Sequence, residues 1–401
     1  MEIVDRQNPW WFIKNWEEKD RYLNEWRMQK IKWIPRWLNE VSYTPFSLNF
    51  VYGARQVGKS TGLKLLIKML IDRGVNPNAV FYIDLDVIIS LFEFRNIMSY
   101  IIKEKRRRNI KTAYIILDEV TSVENWWKII KYYIDIGDVA NDVIIVSGSS
   151  TIGIIKTPER FPGRYGYGKV IKVLPLSFPE FIKIMNFSEE EALYRSDILS
   201  DLWEKYREKG GFPKSINDHF DAKDVLIHAM LSEIYKHGKD TRTVQDIIAS
   251  LIPKLPSALS YNSIAQDIGI SHNTVREYIE FLSDLLLLGI AYLKRNSEVV
   301  VRREKKIFIR DPFLSHTLST WVSKKLLESA IFENIVQEHV YRKFGEIYYF
   351  KNTYEIDIIA SNLKIEVKAG KPHRRYLKNV IVLDEYEIPK FLLKIYKENS
   401  L

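Results

Sequence analysis

One octapeptide constrains this chain more than any other feature. Gly53, Ala54, Arg55, Gln56, Val57, Gly58, Lys59 and Ser60, followed by Thr61, come directly after an apolar run at 48–52 and open a helical pattern. A glycine-rich turn between a buried strand and a helix has a specific use. The glycines let successive backbone N–H groups curl around anionic oxygens at the positive end of the helix. A lysine at the seventh position can reach the β- and γ-phosphates of a nucleotide, and the hydroxyl that follows can ligate Mg²⁺. Gly53 to Thr61 are therefore the candidate nucleotide-binding residues, with ATP and Mg²⁺ as the implied cofactors.

The flanking pattern agrees. From 47 to 176, short apolar runs (48–52, 79–84, 113–117, 143–147, 170–174) alternate with helical patterns at 62–73, 88–108 and 124–135. Such alternation predicts an α/β fold, a parallel sheet sandwiched by helices. Tyr114, Ile115, Ile116 and Leu117 lead into two acids. Asp118 is expected in the Mg²⁺ shell, with Ser60, and Glu119 as the base that orients or deprotonates the attacking water. The run at 143–147 ends in Ser147, a candidate γ-phosphate sensor, with Ser149 just beyond. Arg164 is a candidate for stabilising transition-state charge, in cis or across a subunit boundary.

Composition narrows the rest. The 401 residues carry a net charge of +9 and are 46% hydrophobic, which is ordinary for a globular chain. No cysteine is present, so disulfides, thiolate zinc sites and iron–sulfur clusters are excluded. The longest uninterrupted apolar run, 285–293, falls far short of the about 18–20 residues that span a bilayer. A cytoplasmic setting without membrane contact is expected. Seven scattered histidines show no i, i+4 metal-binding pair.

Trp10, Trp11, Trp16, Trp26, Trp33 and Trp37 crowd the N-terminus. With 14–28 read as helix, residues 1–45 are expected to form a collar that buries its indoles on the following core, 46–180. Residues 181–255 look helical, a lid broken by Gly210, Gly211, Phe212 and Pro213. In 256–315 a short helix, a turn at Ile270-Ser271 and a longer helix precede a hairpin. Val275, Ile279, Leu282 and Leu286 give the longer helix one apolar face. Between 290 and 310, seven cations face only Glu298 and Glu304. Helix-turn-helix plus basic wing suits double-stranded DNA, with Asn273, Thr274 and Arg276 at the base edges, beside His272, and Arg302 and Arg303 on phosphates. Internal docking is the competing use of this module. A second basic cluster, 103–111, reads as a solvated helix end.

Three short strands are expected at 347–351, 354–360 and 363–368, within a tail at 325–401. A two-residue loop at Ser361-Asn362 sets Asp357 opposite Glu366, with Cβ atoms about 5 Å apart. Glu366 and Lys368 share one face. Two carboxylates with a lysine alongside can hold Mg²⁺ and activate water. Glu355 opposite Lys368 offers a plain cross-strand ion pair instead.

Taken together, Asn8-Pro9-Trp10-Trp11, the octapeptide, Ile116-Leu117-Asp118-Glu119, Ser147-Gly148-Ser149-Ser150 and Pro175-Leu176-Ser177-Phe178-Pro179-Glu180 resemble an archaeal and bacterial AAA-type P-loop ATPase family that carries a winged helix and a C-terminal nuclease-like domain. The last resembles the PD-(D/E)xK class through Asp357, Glu366 and Lys368, with Glu333 on the preceding helix. The resemblance implies ATP binding at Gly53 to Ser60 and hydrolysis by Asp118 and Glu119. Three roles are compatible with it: an ATPase acting on or regulated by DNA, a slow nucleotide switch with an inactive tail, or an ATP-gated nuclease.

Overall fold

The computed structural model describes residues 2–148, 161–295, 298–352, 354–370 and 379–397. The chain forms two compact units, Met1–Leu174 and Pro175–Leu401. No described helix is long and apolar enough to cross a membrane.

The first unit contains a five-stranded parallel sheet: β1 (Ser47–Gly53), β2 (Val80–Asp84), β3 (Tyr114–Asp118), β4 (Val143–Gly148) and β5 (Val170–Val173), in the order β2-β3-β4-β1-β5. Both faces are covered, as near-continuous apolar strands require. Phe81, Ile115, Leu117, Ile144 and Val146 face the core built with Leu91–Arg107 and Trp127–Asp135. Val51, Val80, Ile116 and Ile145 face the core of Lys59–Asp72. The insertion of β4 between β1 and β3 matters most. It brings the C-terminal ends of three strands to one edge, where ligands bind in open parallel sheets.

The collar is part of this unit, not a module outside it. A helix over 14–28 was expected; instead Trp16–Glu18 is a 3-10 turn and the helix Arg21–Met28 starts later, at the N-cap Asp20, whose side chain accepts from Leu23 N. Trp10, Trp16 and Trp37 are buried and Trp11, Trp26 and Trp33 half-buried. The segment closes the sheet edge at β2. Asn8 donates to Tyr82 O at 2.9 Å and accepts from Tyr82 N at 2.7 Å, and the Trp10 and Trp11 indoles both donate to Val80 O at 3.0 Å. These bonds satisfy backbone groups that an edge strand otherwise leaves open.

The second unit begins at Pro175 rather than at 181. Arg342 donates to Pro175 O at 2.7 Å, Tyr206 to Leu176 O at 3.1 Å, and Phe178 N to His339 Nε2 at 2.9 Å. Burial pushes His339 down to about 3, so it stays neutral and able to accept. Glu180 takes both the N–H and the hydroxyl of Ser177, starting the helix Phe178–Ile184. The expected helical segment follows, with Gly210 at positive φ ending Ser196–Lys209.

The larger correction concerns the wing. Helices Tyr261–Ile268 and His272–Asp284 precede the hairpin β6 (Leu288–Arg295) and β7 (Glu298–Ile309), and Leu259 bridges Lys305. That hairpin does not stand apart from the tail. β6 runs parallel to β8 (Tyr348–Lys351), through Tyr292–Tyr348 and Leu293–Tyr349, giving one six-stranded sheet with β9 (Glu355–Ala360), β10 (Leu363–Val367) and β11 (Ile381–Leu383) in the order β11-β10-β9-β8-β6-β7. The separate boundaries expected at 256–315 and 325–401 therefore merge. An apolar strand such as β6 presents two hydrogen-bonding edges, and β8 fills the second. The loop at Ser361-Asn362 does set the expected register, with Ala360 opposite Leu363 and Ile358 opposite Ile365.

Candidate nucleotide site

The loop from Gly53 to Gly58 joins β1 to the helix Lys59–Asp72. Only glycine fits at Gly53, where an added Cβ would stand 2.0 Å from Val173 O. Gly58 takes φ 87° at the N-cap. Lys59 is 6% exposed and donates to Gly53 O and Ala54 O, each at 2.9 Å. The ammonium thus sits inside the turn, where the helix end adds positive potential.

The acids meet this loop from the neighbouring strands. Asp118, at the end of β3, is buried and accepts from Tyr82 Oη at 3.0 Å and from the Ser147 hydroxyl of β4. Ser147 itself lies opposite Val51 of β1. Glu119 holds φ 50°, a left-handed conformation that costs a non-glycine residue on the order of 1 kcal/mol. Its carboxylate faces Arg55, 3.9 Å away. Such strain gathers where side-chain direction matters to function.

Arg164 is not brought to this cluster. It forks onto Asp135, at 2.6 and 3.4 Å, and donates to Pro162 O. Ser149 lies outside the described residues.

Four residues here escaped sequence reasoning. Asp84 ends β2 directly opposite Asp118, and burial, then the nearby Asp118 charge, push it up to about 6. Its signal was present: like Asp118, it is an acid closing an apolar run. Tyr82 lines the site through its bond to Asp118. Lys64, on the P-loop helix, lies 3.6 Å over the Tyr82 ring and is lowered by burial against the pull of Asp20. Tyr22, from the collar, is half-buried near the site; burial, then the charges of Asp118 and Asp84, push its phenol up to about 12. Nothing local in the sequence announces Tyr22.

The donor set fits a magnesium nucleotide: backbone N–H groups and an ammonium for phosphate, and a hydroxyl and a buried carboxylate for the cation. Ser60 and Asp118 would hold the metal.

The acids of the second unit are arranged differently from expectation. Glu333, on Glu328–Phe344, and Asp357, on β9, do converge, but on Lys306 of the hairpin. Lys306 Nζ is 2.6 Å from Asp357, 2.9 Å from Glu333 and 3.0 Å from Glu355, and the side chain is 2% exposed. Glu355 therefore pairs with Lys306, not with Lys368, which pairs with Glu366 at 2.6 Å. Burial alone would lower Lys306, and Glu333, Asp357 and Glu355 more than reverse this. Four carboxylates share two ammonium groups here, and two of them are raised: burial, then Asp357, push Glu333 up to about 8, and the same causes raise Glu366. Among the described residues no group of three or more His, Asp or Glu could hold a metal ion.

The basic hairpin is also less basic at its surface than its sequence. Lys305, Lys306 and Arg310 are buried, Arg310 against Glu338 at 2.8 Å. Arg295, Arg302 and Arg303 remain exposed. At the start of the helix His272–Asp284, Arg276 pairs with Glu280, Thr274 bonds the capping Ser271, and Asn273 meets His272. In the cluster at 103–111, Lys105, Arg106, Arg107 and Arg108 pair with Asp142, Asp138 and Glu104, as a helix end stabilised within its own unit would.

Comparison with known proteins agrees on the first unit. Residues 46–182 match the family described as AAA domain, and residues 200–325 match a domain of unknown function (DUF8612). The first of these, with its five-stranded parallel sheet, is a P-loop domain of the AAA type. An uncharacterized protein of Haemophilus influenzae is 23% identical over 280 residues, 63% of this chain and 66% of that one, so the match leaves a third of the relative uncovered. An uncharacterized protein of Methanocaldococcus jannaschii is 23% identical over 340 residues, 80% of this chain and 73% of that one. Among solved structures, a Walker-type ATPase of Pyrococcus abyssi (13% identity, 77% of this chain, 95% of that one) overlays at TM-score 0.44. The ORC2 protein of Aeropyrum pernix, in ADPNP-ADP complexes (13% identity, 69% and 88%), overlays at 0.39.

Proposed function

We propose that the chain is a Mg²⁺-dependent ATPase whose first unit binds and hydrolyses ATP. The observation that carries this is the meeting, at one sheet edge, of the Lys59 loop, the buried Asp118 and the strained Glu119. Loop N–H groups and Lys59 bind and orient the phosphates. Ser60 and Asp118 hold the cation, which when bound supplies charge neutralisation on the phosphates. Glu119 takes the proton of the attacking water, and Ser147, bonded to Asp118, fixes that carboxylate's direction. The test is ATP turnover by the full chain. Lys59→Ala should abolish it; turnover equal to the parent overturns the assignment.

The finer reading gives the second unit a winged helix that contacts duplex DNA. Support comes from the element order, from the Leu259–Lys305 bridge beside the hairpin, and from exposed Arg302 and Arg303. ATP turnover measured with and without duplex DNA tests it, together with the salt slope of binding. Each neutralised phosphate contributes about 0.9 to that slope. DNA that binds independently of salt removes the basic hairpin from the interface.

One observation favours the switch reading over the gated nuclease: an ammonium, Lys306, already sits among the acids that a nuclease would use for metal. On this reading the tail is an ion-paired scaffold, and Mg²⁺ alone produces no plasmid nicking. Nicking that disappears in Asp357→Ala would reinstate the nuclease.

A further inference from the structure

The carboxylate of Asp118 is held at both oxygens. Oδ1 accepts from the Ser147 hydroxyl and from the Glu119 N–H at 3.1 Å, and Oδ2 accepts from the Tyr82 hydroxyl at 3.0 Å. Tyr82 is itself fixed from several directions, and the N-terminal collar supplies most of the grip. Its N–H and C=O are both taken by the Asn8 side chain, at 2.7 and 2.9 Å. The Lys64 ammonium lies 3.6 Å from the centre of the Tyr82 ring and 5.3 Å from that of Trp10. Asp20, which caps the helix Arg21–Met28, pairs with Lys64 at 3.4 Å, with only 8% and 7% of the two side chains exposed. Packing here asks only for the ring. A buried hydroxyl is costly unless it has a partner, and the partner it has is the metal-site acid.

We propose that Tyr82 is a positioning residue for Asp118, and that the collar, by gripping Tyr82, helps set the affinity of the site for Mg²⁺. A carboxylate offers about four lone-pair sites on two oxygens, so Oδ2 can accept from Tyr82 and still present a lone pair to a cation. Neutral donors such as Tyr82 and Ser147 fix the plane of the carboxylate without cancelling the charge that a cation needs. Lys64 reinforces this at one remove. Its positive charge over the ring is held by the ring face and draws electron density from the phenol oxygen, which strengthens the O–H as a donor. Asp20 balances that charge, so the ammonium stays with the ring and away from Asp118. This inference rests on the nucleotide-site reading above and adds to it the residues that tune metal affinity.

Outer partners of metal ligands typically change metal affinity by about 10–100-fold. The experiment measures binding of a fluorescent ATP analogue to the full chain, first in EDTA and then across a Mg²⁺ titration, with the unfolding midpoint in EDTA as a second readout. Tyr82→Phe keeps the ring and removes only the hydroxyl. It should raise the half-saturating Mg²⁺ about tenfold and leave binding in EDTA unchanged. Asp118→Ala removes the ligand itself, so adding Tyr82→Phe to it should shift the Mg²⁺ midpoint no further. A tyrosine that served only the core would lower the unfolding midpoint and leave the Mg²⁺ midpoint in place. A Tyr82→Phe midpoint equal to or below the parent's, or full additivity with Asp118→Ala, overturns the proposal. Should Tyr82→Phe not fold, Lys64→Met carries the test, since it keeps the hydroxyl and removes the cation over its ring. Its Mg²⁺ midpoint should rise by less than tenfold, and no rise overturns the proposal. Failure of the nucleotide-site reading looks different: Lys59→Ala would then bind the analogue as the parent does.

Discussion

Glu119 holds a backbone conformation that an L-residue adopts at a cost, one residue after the acid expected to hold the metal. If that geometry serves to aim a base, Glu119→Gln should still bind nucleotide while turnover falls at least about 100-fold, the lower range for losing a positioned base. Single-turnover kinetics with the bound analogue as control measure both; unchanged turnover removes Glu119 from the mechanism. Gly62 makes a different demand. A Cβ there would lie 2.4 Å from the Trp37 ring, so Gly62→Ala should overpack the collar against the P-loop helix and cost about 1–3 kcal/mol in denaturant unfolding. A change under about 0.5 kcal/mol, ordinary for a surface site, would mean the ring yields freely. At this scale the loop was legible, because phosphate binding needs its residues in one short stretch and in one order. Asp118 and Glu119 were legible for a related reason: an acid pair closing an apolar run is a local pattern. Lys64 was not: its partners, Asp20 and the Tyr82 ring, lie across tertiary contacts, and a lysine on a helix reads as solvated.

The hairpin β6–β7 shows how an element's charge pattern can mislead. Its cations were counted together, yet side chains alternate across a strand, and β7 turns Lys306 inward among three carboxylates while Arg303 faces out. Removing that ammonium strands buried charge. Lys306→Ala should therefore cost about 3–5 kcal/mol in the second unit, by chemical denaturation. A loss below about 1 kcal/mol, the range of an exposed pair, would show that the ion cluster is solvated. The same cluster sets a pH dependence. Glu333 is raised from an ordinary 4.5 to about 8, so the folded state prefers its protonated form. Its contribution is complete below about pH 4.5 and is lost as pH rises through about 8. Unfolding midpoints should fall across that window, and Glu333→Gln should flatten the fall. The register of β9 and β10 was legible because a two-residue loop dictates it. The pairing of β6 with β8 was not, since each strand's second edge carries no mark of which strand will fill it.

On the scale of the whole molecule, the two compact units answer to different perturbations. Nucleotide at about 100 times its dissociation constant should stabilise the first unit by about 2.7 kcal/mol, read by hydrogen exchange as added protection of β1, β3 and β4. Equal protection with and without nucleotide would mean that the loop binds no phosphate. The alternation of strands and helices, the glycine-rich loop that opens a helix and the acids that close β3 followed from the chain alone. Each depends on residues close in sequence, whose periodicity and spacing are themselves the physical requirement. Three matters waited on the fold. They were the capture of the collar by the sheet edge, the fusion of hairpin and tail into one sheet, and the lysine at the centre of the C-terminal acids. All three are contacts between distant segments, where several partners satisfy the same hydrogen-bonding edge or the same charge. Burial and packing geometry, which no stretch of sequence carries by itself, choose among them.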